Sequence, residues 1–212
     1  ADLHGDGLGV ARDPARHKEL TASAVAIANK EGAILECQDL SALAYRFCNG
    51  DGVDRDAEEG MRWALRAVEI GSSYGTNAMG YIYYEGLGVP KDYEEARSWY
   101  LQGTEKGDPW SMYMVGWMDQ NGQGGPVDHT AALGWYRKGT ERGEEDAMNC
   151  LGYLYQNGLG VGADHAQARL WYLRAVERQS VDAMVNMGWM CQEGLGGERD
   201  LAEAREWYTK AA

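Results

Sequence analysis

The sequence predicts an all-α fold: a solenoid of tandem helix-turn-helix units, each about 36 residues long. Three observations carry this. A turn glycine recurs at Gly50, Gly86, Gly122, Gly158 and Gly194, always 36 residues apart. A tryptophan keeps the same step at Trp63, Trp99, Trp135, Trp171 and Trp207, and an aspartate at Asp56, Asp92, Asp128, Asp164 and Asp200. Three markers with one unbroken period are the signature of a repeat array. Each unit of such an array buries its apolar face on its neighbours. The period divides the chain into a divergent partial unit at 1–32 and units at 33–72, 73–108, 109–144, 145–180 and 181–212, the last truncated at its end. Together they form one continuous solenoid domain.

The elements follow in order. In 1–32, Gly7-Leu8-Gly9 is the turn, Asp13 caps a helix that Pro14 opens, and Gly32 closes it. Ala24 stands where the tryptophan falls, about one helical turn late. The unit at 33–72 is longer than the others before its turn, and Ala64 rather than Tyr follows Trp63. In 73–108 the first helix (A) runs over roughly 74–85 and the second (B) over roughly 92–106. Gly86 ends helix A in the left-handed conformation. Asp92 caps helix B, and Glu95 offers the second half of a capping box. Asp56/Glu59, Asp164/Gln167 and Asp200/Glu203 repeat this pair, whereas Asp128/Ala131 lacks its second half. Gly71, Gly107 and Gly143 end helix B, with Gln179 in the corresponding place. The array predicts no strand, at least about 60% helix, and roughly 11 or 12 helices of about 12–15 residues.

Each helix has two faces. On helix B, Ala96, Trp99, Tyr100 and Gly103 recur at i, i+3, i+4 and i+7, the pattern of a buried stripe. The tryptophan column therefore reads as core, filling the gap between repeats. On helix A, Gly75, Met79, Ile82 and Tyr83 form the core face. The opposite face carries Asn77, Tyr81 and Tyr84, then Tyr113, Trp117, Gln120 and Asn121, then Asn149, Tyr153, Gln156 and Asn157. One aromatic recurs per unit on this face, at Tyr45, Tyr81, Trp117, Tyr153 and Trp189. Packing between A and B does not account for them. Aromatics supply binding area at low entropic cost, and amides such as those of Asn49, Asn77 and Asn149 offer both a donor and an acceptor to a peptide backbone. These side chains are the expected binding groove. The alternative is that the rings pack sideways on the neighbouring helix A.

Net charge is −13. That excludes a phosphate-backbone partner, which needs a basic face, and favours a basic or neutral protein or peptide. No apolar run approaches the ~20 residues of a membrane span. Cys37, Cys48, Cys150 and Cys191 have no periodic pairing. Cys37 and Cys48 are separated by roughly 16 Å along one helix, too far for a disulfide. Four free thiols lean toward a reducing, cytoplasmic compartment. Both ends look cut from a longer protein, which leaves a secreted or periplasmic place open.

No cofactor or metal is expected. His129 and His165 each follow a capping Asp in successive units, about 10 Å apart, too far to share an ion. They read as exposed first-turn residues. Asn49 to Asp56 superficially resembles a calcium loop, but the sixth position is Asp54 rather than Gly and the twelfth is Gly60 rather than Glu. The segment reads as a turn plus an N-cap. The Gly-Leu-Gly turns lack the Lys-Ser/Thr of a phosphate loop.

Ala147, Leu151, Gly152, Tyr155, Gly158, Gly160, Val161, Asp164, Ala168, Trp171, Tyr172 and Ala175 stand at the spacing of the Sel1-like repeat motif. The chain resembles that family, a relative of the tetratricopeptide repeat, over almost its whole length. Asp119 and Cys191 depart from the motif Tyr, and Ala44 from the motif Gly. The resemblance implies a right-handed α/α superhelix with helix A lining a concave face, and a protein-interaction role as scaffold or adaptor, in bacteria or in eukaryotic protein quality control. A cysteine-rich bacterial branch of the family is linked to penicillin binding and β-lactam hydrolysis. That branch carries a Cys pair in each repeat, which this chain lacks. No Ser here is followed three residues later by Lys, the serine β-lactamase pattern. A structural spacer within a longer protein is the third alternative.

Overall fold

The computed structural model describes residues 37–212, so the readings on the first unit lie outside the described residues. Ten α-helices follow one another: α1 (Cys37–Asn49), α2 (Ala57–Glu69), α3 (Ser73–Glu85), α4 (Tyr93–Glu105), α5 (Pro109–Asn121), α6 (His129–Glu141), α7 (Glu145–Asn157), α8 (His165–Glu177), α9 (Val181–Glu193) and α10 (Leu201–Ala211). Odd-numbered helices are the A helices and even-numbered ones the B helices. There is no strand among the described residues. Each helix packs on its predecessor and its successor, so every unit shares its core with the next.

The repeated aspartates start the B helices. Asp92 Oδ1 accepts from Glu95 N at 3.0 Å, and Asp56, Asp128, Asp164 and Asp200 repeat the bond. The second half of the capping box is not made. The backbone N–H of Asp92 instead donates to Tyr83 O in helix A at 2.9 Å, and the other four caps donate to their own helix A in the same way. That bond ties the start of B to A and satisfies the donor a box glutamate would claim. Ala131 in the box position therefore leaves nothing unsatisfied.

Helix A ends as expected. Gly158 adopts φ 67°, and Leu159 N returns to Leu154 O at 3.0 Å, the closing bond of a left-handed cap. Gly160, also at positive φ, lies on the carbonyl of His129 in the preceding unit, where a side chain has no room. Gln179 takes φ 68° in the place of Gly71, Gly107 and Gly143, so the left-handed turn persists without glycine.

The B-helix core differs from expectation in one respect. Tyr100, Tyr136 and Tyr172 are the fully buried column, whereas Trp99, Trp135, Trp171 and Trp207 are half-buried at its edge. Lys138, Arg174 and Lys210 lie over the outer rings of Trp135, Trp171 and Trp207 at 4.0, 4.5 and 4.3 Å. The tyrosine wins the centre because it faces a glycine of helix A. A Cβ at Gly80, Gly116, Gly152 or Gly188 would fall 2.5–2.8 Å from the ring of Tyr100, Tyr136, Tyr172 or Tyr208. The glycine lets the ring lie flat on the A backbone. In 33–72 both partners are small: Ala44 replaces the glycine and Ala64 the tyrosine, and Trp63 moves in to 3% exposure.

Candidate interaction face

The ladder of A-helix aromatics is not uniform. At its N-terminal end the rings pack sideways. Tyr45 and Tyr81 meet at 5.3 Å with a 54° tilt. Tyr84 OH donates to Gln123 Oε1 at 3.0 Å and accepts from Trp117 Nε1 at 3.3 Å. Tyr113 touches Trp110, Trp117 and Tyr136 with centroids 5.0, 6.4 and 6.1 Å apart. Burial, reinforced by neighbouring phenols and carboxylates, pushes the hydroxyls of Tyr45, Tyr81 and Tyr113 above their ordinary range. At the C-terminal end, Tyr153 and Trp189 are 43% and 40% exposed. No ring contact to either occurs among the described residues.

The amides divide likewise. Asn77 is not on the open face. It is buried, donates from Nδ2 to Asp108 Oδ2 at 3.0 Å, and accepts from Ser111 Oγ. Asp108 caps α5 through Ser111 N at 2.7 Å and also accepts from Ser73 Oγ. This buried carboxylate draws Asn77 inward as a donor. Gln120 and Gln156 also face the core with their carbonyls, which accept from Tyr136 and Tyr172 OH at 3.0 and 3.1 Å. A buried phenol needs that acceptor. Asn121 and Asn157 donate back to Trp117 O and Tyr153 O, closing the last turn of helix A, and keep their carbonyls outward. Asn49 is exposed and hydrogen-bonds Tyr81. Asn149 Oδ1 accepts from Asn186 Nδ2 at 2.9 Å across α7 and α9.

Two features lie beside the ladder of aromatics. Val181 and Val185, 53% and 43% exposed, extend the Trp189 stripe along α9. Val185 stands at the register position of Asn77, Tyr113 and Asn149, so alignment of the units locates it. An acidic strip also runs along the starts of α7 and α9. Burial, then Asp146 beside it, pushes the Glu144 carboxyl up to about 7. Asp146 is raised by burial and by Glu145 and Asp182.

The reactive side chains are quiet. Cys48, Cys150 and Cys191 are free and buried, and burial raises the Cys48 thiol to about 11 and the Cys150 thiol to about 12. His129 and His165 begin α6 and α8 half-buried rather than exposed, because the next unit's turn covers their carbonyls. No helix among the described residues is long and apolar enough to cross a membrane.

The Sel1 repeat family model matches residues 1–16, 40–72, 73–108, 111–144, 145–180 and 181–212. No curated protein sequence matches the chain. Among solved structures, c5321, a protective antigen of uropathogenic Escherichia coli displaying an SLR fold, is 30% identical with a TM-score of 0.73. The match covers 93% of this chain and 45% of the antigen, so the chain spans less than half of that protein's length. A Sel1 repeat protein from Oxalobacter formigenes shares the fold at 24% identity and TM-score 0.80, covering 94% of this chain and 83% of that one. The immunity protein Pa5087 of Pseudomonas aeruginosa shares it at 15% identity and TM-score 0.68, over 97% and 76% of the two chains. The family model spans most of the chain in successive units, and the chain belongs to the Sel1 repeat family.

Proposed function

We propose that the chain is a non-catalytic scaffold that holds a basic or neutral protein or peptide segment in a concave groove along its A helices. Sel1 repeat arrays generally serve as protein-interaction scaffolds. The observation that supports the groove is the ladder itself: one aromatic recurs per unit along the A helices, and its last two members, Tyr153 and Trp189, keep two-fifths of their surface exposed. Large rings held on rigid helices are typical binding anchors. The non-catalytic part is supported by the thiols. An activated cysteine has a lowered pKa, and burial here moves Cys48 and Cys150 the other way.

The test is pull-down of partners with the wild-type chain and with a variant carrying Tyr81→Ala, Trp117→Ala, Tyr153→Ala and Trp189→Ala. Circular dichroism checks that the variant keeps its helical fold. Loss of the bound partner from the folded variant is expected, and wild-type retention removes the groove as the site. Incubation with nitrocefin is expected to release no hydrolysis product, and turnover overturns the non-catalytic reading.

A further inference from the structure

On α9, Val181, Val185 and Trp189 lie one turn apart and form an exposed apolar stripe. The opposite side of that helix does its packing, through buried Ala183, Met187 and Met190. Tyr153 occupies on α7 the place that Trp189 occupies on α9, and it is also exposed. At the equivalent positions further toward the N-terminus, Tyr81 lies against Tyr45 and Trp117 hydrogen-bonds Tyr84. Within the recurring aromatic column, the exposed rings are therefore those of the last two A helices, although Tyr74 at the start of α3 is exposed as well. At the N-terminal end of the same stripe stand Asp182 and, at the equivalent position of α7, Asp146, which lies within the field of the Asp182 carboxylate. Among the described residues, no Lys, Arg or His pairs with either. The chain as a whole carries −13.

We propose that Tyr153, Val185 and Trp189, together with Asp146 and Asp182, form a subsite for a peptide segment carrying an apolar anchor and a basic side chain about 10 Å apart. The spacing follows from the helix. Asp182 and Trp189 are seven residues apart on α9, at about 1.5 Å of rise per residue. An extended peptide covers that distance in about three residues, so the matching segment places Arg or Lys three residues from Leu or an aromatic. The sign of the charge is set by the site. A cation between Asp146 and Asp182 relieves their repulsion, whereas an acidic segment adds to it. The subsite presupposes that the A-helix face binds peptide.

The experiment is calorimetric titration of the full chain with Gly-Ser peptides of about twelve residues. One carries Arg and Leu three residues apart, a second has Glu for the Arg, and a third has Ser for the Leu. The Arg/Leu peptide is expected to bind at least about tenfold more tightly than either control. Trp189→Ala, and separately Asp146→Asn with Asp182→Asn, each weaken it about tenfold or more, while Leu170→Ala, at an exposed position of the B helix α8, leaves it unchanged. Asp146→Lys with Asp182→Lys moves the preference to the Glu/Leu peptide. Melting curves confirm that these surface variants fold. The proposal is overturned if the Arg and Glu peptides bind alike, if none binds, or if Trp189→Ala has no effect. If partner binding survives these variants but is lost on Tyr81→Ala with Trp117→Ala, the subsite fails and the broader groove stands. If partner binding survives both sets, both fail.

Discussion

Alanine at Gly152 tests the packing rule on which the array depends. In an exposed helix, Gly→Ala stabilises by about 1 kcal/mol through backbone entropy. At Gly152 the added Cβ falls 2.5 Å from Tyr172 Cε1, 2.6 Å from Cδ1 and 3.0 Å from Cζ. Carbon atoms in contact prefer about 3.5–4.0 Å, so the ring must retreat by about 1 Å. Tyr172 is fully buried and has no free space to enter. Such overpacking costs about 1–3 kcal/mol. The retreat also breaks the bond from Tyr172 OH to Gln156 Oε1, worth about 1 kcal/mol. The expected net loss for Gly152→Ala is about 2 kcal/mol. It is read as a fall in the urea midpoint, followed both by circular dichroism and by tryptophan fluorescence, because repeat arrays can depart from two-state behaviour. Tyr172→Ala is also destabilising through its cavity, but in the double variant the clash is gone. The double variant is then more stable than the two single losses summed, by about 1 kcal/mol or more of coupling. A Gly152→Ala chain as stable as wild type, or strictly additive losses, refutes the glycine–tyrosine argument.

Other outcomes follow from single contacts. Gln179→Gly relieves a left-handed backbone at a site where the matching glycine, Gly71, has nothing within 4 Å of its Cβ direction; a gain of about 1 kcal/mol in chemical denaturation is expected. Arg97→Ala leaves the carboxylate of Asp119 buried without its 2.5 Å partner and costs about 3 kcal/mol, whereas Arg97→Leu with Asp119→Tyr, the combination found at Leu133 and Tyr155, recovers most of it. Burial, and then the carboxylates of Asp146, Glu145 and Asp108, push the Glu144 carboxyl up to about 7 in the folded chain from its ordinary 4.5. The native state therefore holds an extra proton between those pH values, and stability falls as pH rises through that window. Glu144→Gln should raise the melting temperature at pH 8 and flatten the slope between pH 5 and 7.

The period, the caps and the helix-A glycines were legible because each acts within one unit. Asp92 needs only Glu95 N, three residues on, and Gly86 only the end of its own helix. The Trp and Tyr columns were placed on the correct face of helix B but could not be ranked. Both satisfy the same helical spacing, and only the glycine on the partner helix decides which ring goes to the centre. Asn77 shows the limit more sharply. Its own helix puts it beside Tyr81 on the outer face, yet Asp108 and Ser111 belong to the next helix A and pull it inward. Gln120 and Gln156 turn to buried phenols for the same reason. A single-helix periodicity cannot see a donor or acceptor supplied from another helix.

That distinction also accounts for the places where the chain leaves its own motif. The motif Tyr of helix A packs beside the B helix of the preceding unit. Where it is kept, the facing residue is apolar: Met61 shares a core cluster with Tyr83, and Leu133 shares one with Tyr155. Where it becomes Asp119, the facing residue is Arg97, and where it becomes Cys191, the facing residue is Arg169, which donates to the sulfur at 3.5 Å and to Glu203 at 3.3 Å. The Ala44–Ala64 pair is the same logic applied inside one unit. These three departures, which look like decay of the repeat in the linear sequence, are each half of a matched contact in the structure. The pairing holds because an unmatched change at either site leaves a buried charge or a cavity of a few kcal/mol, a large share of the stability of a domain this size. The open residues of α9 carry no such match. Val181 and Val185, beside the ladder residue Trp189, differ from their register neighbours and belong to no core cluster, which is the pattern expected where the complementary surface belongs to another molecule.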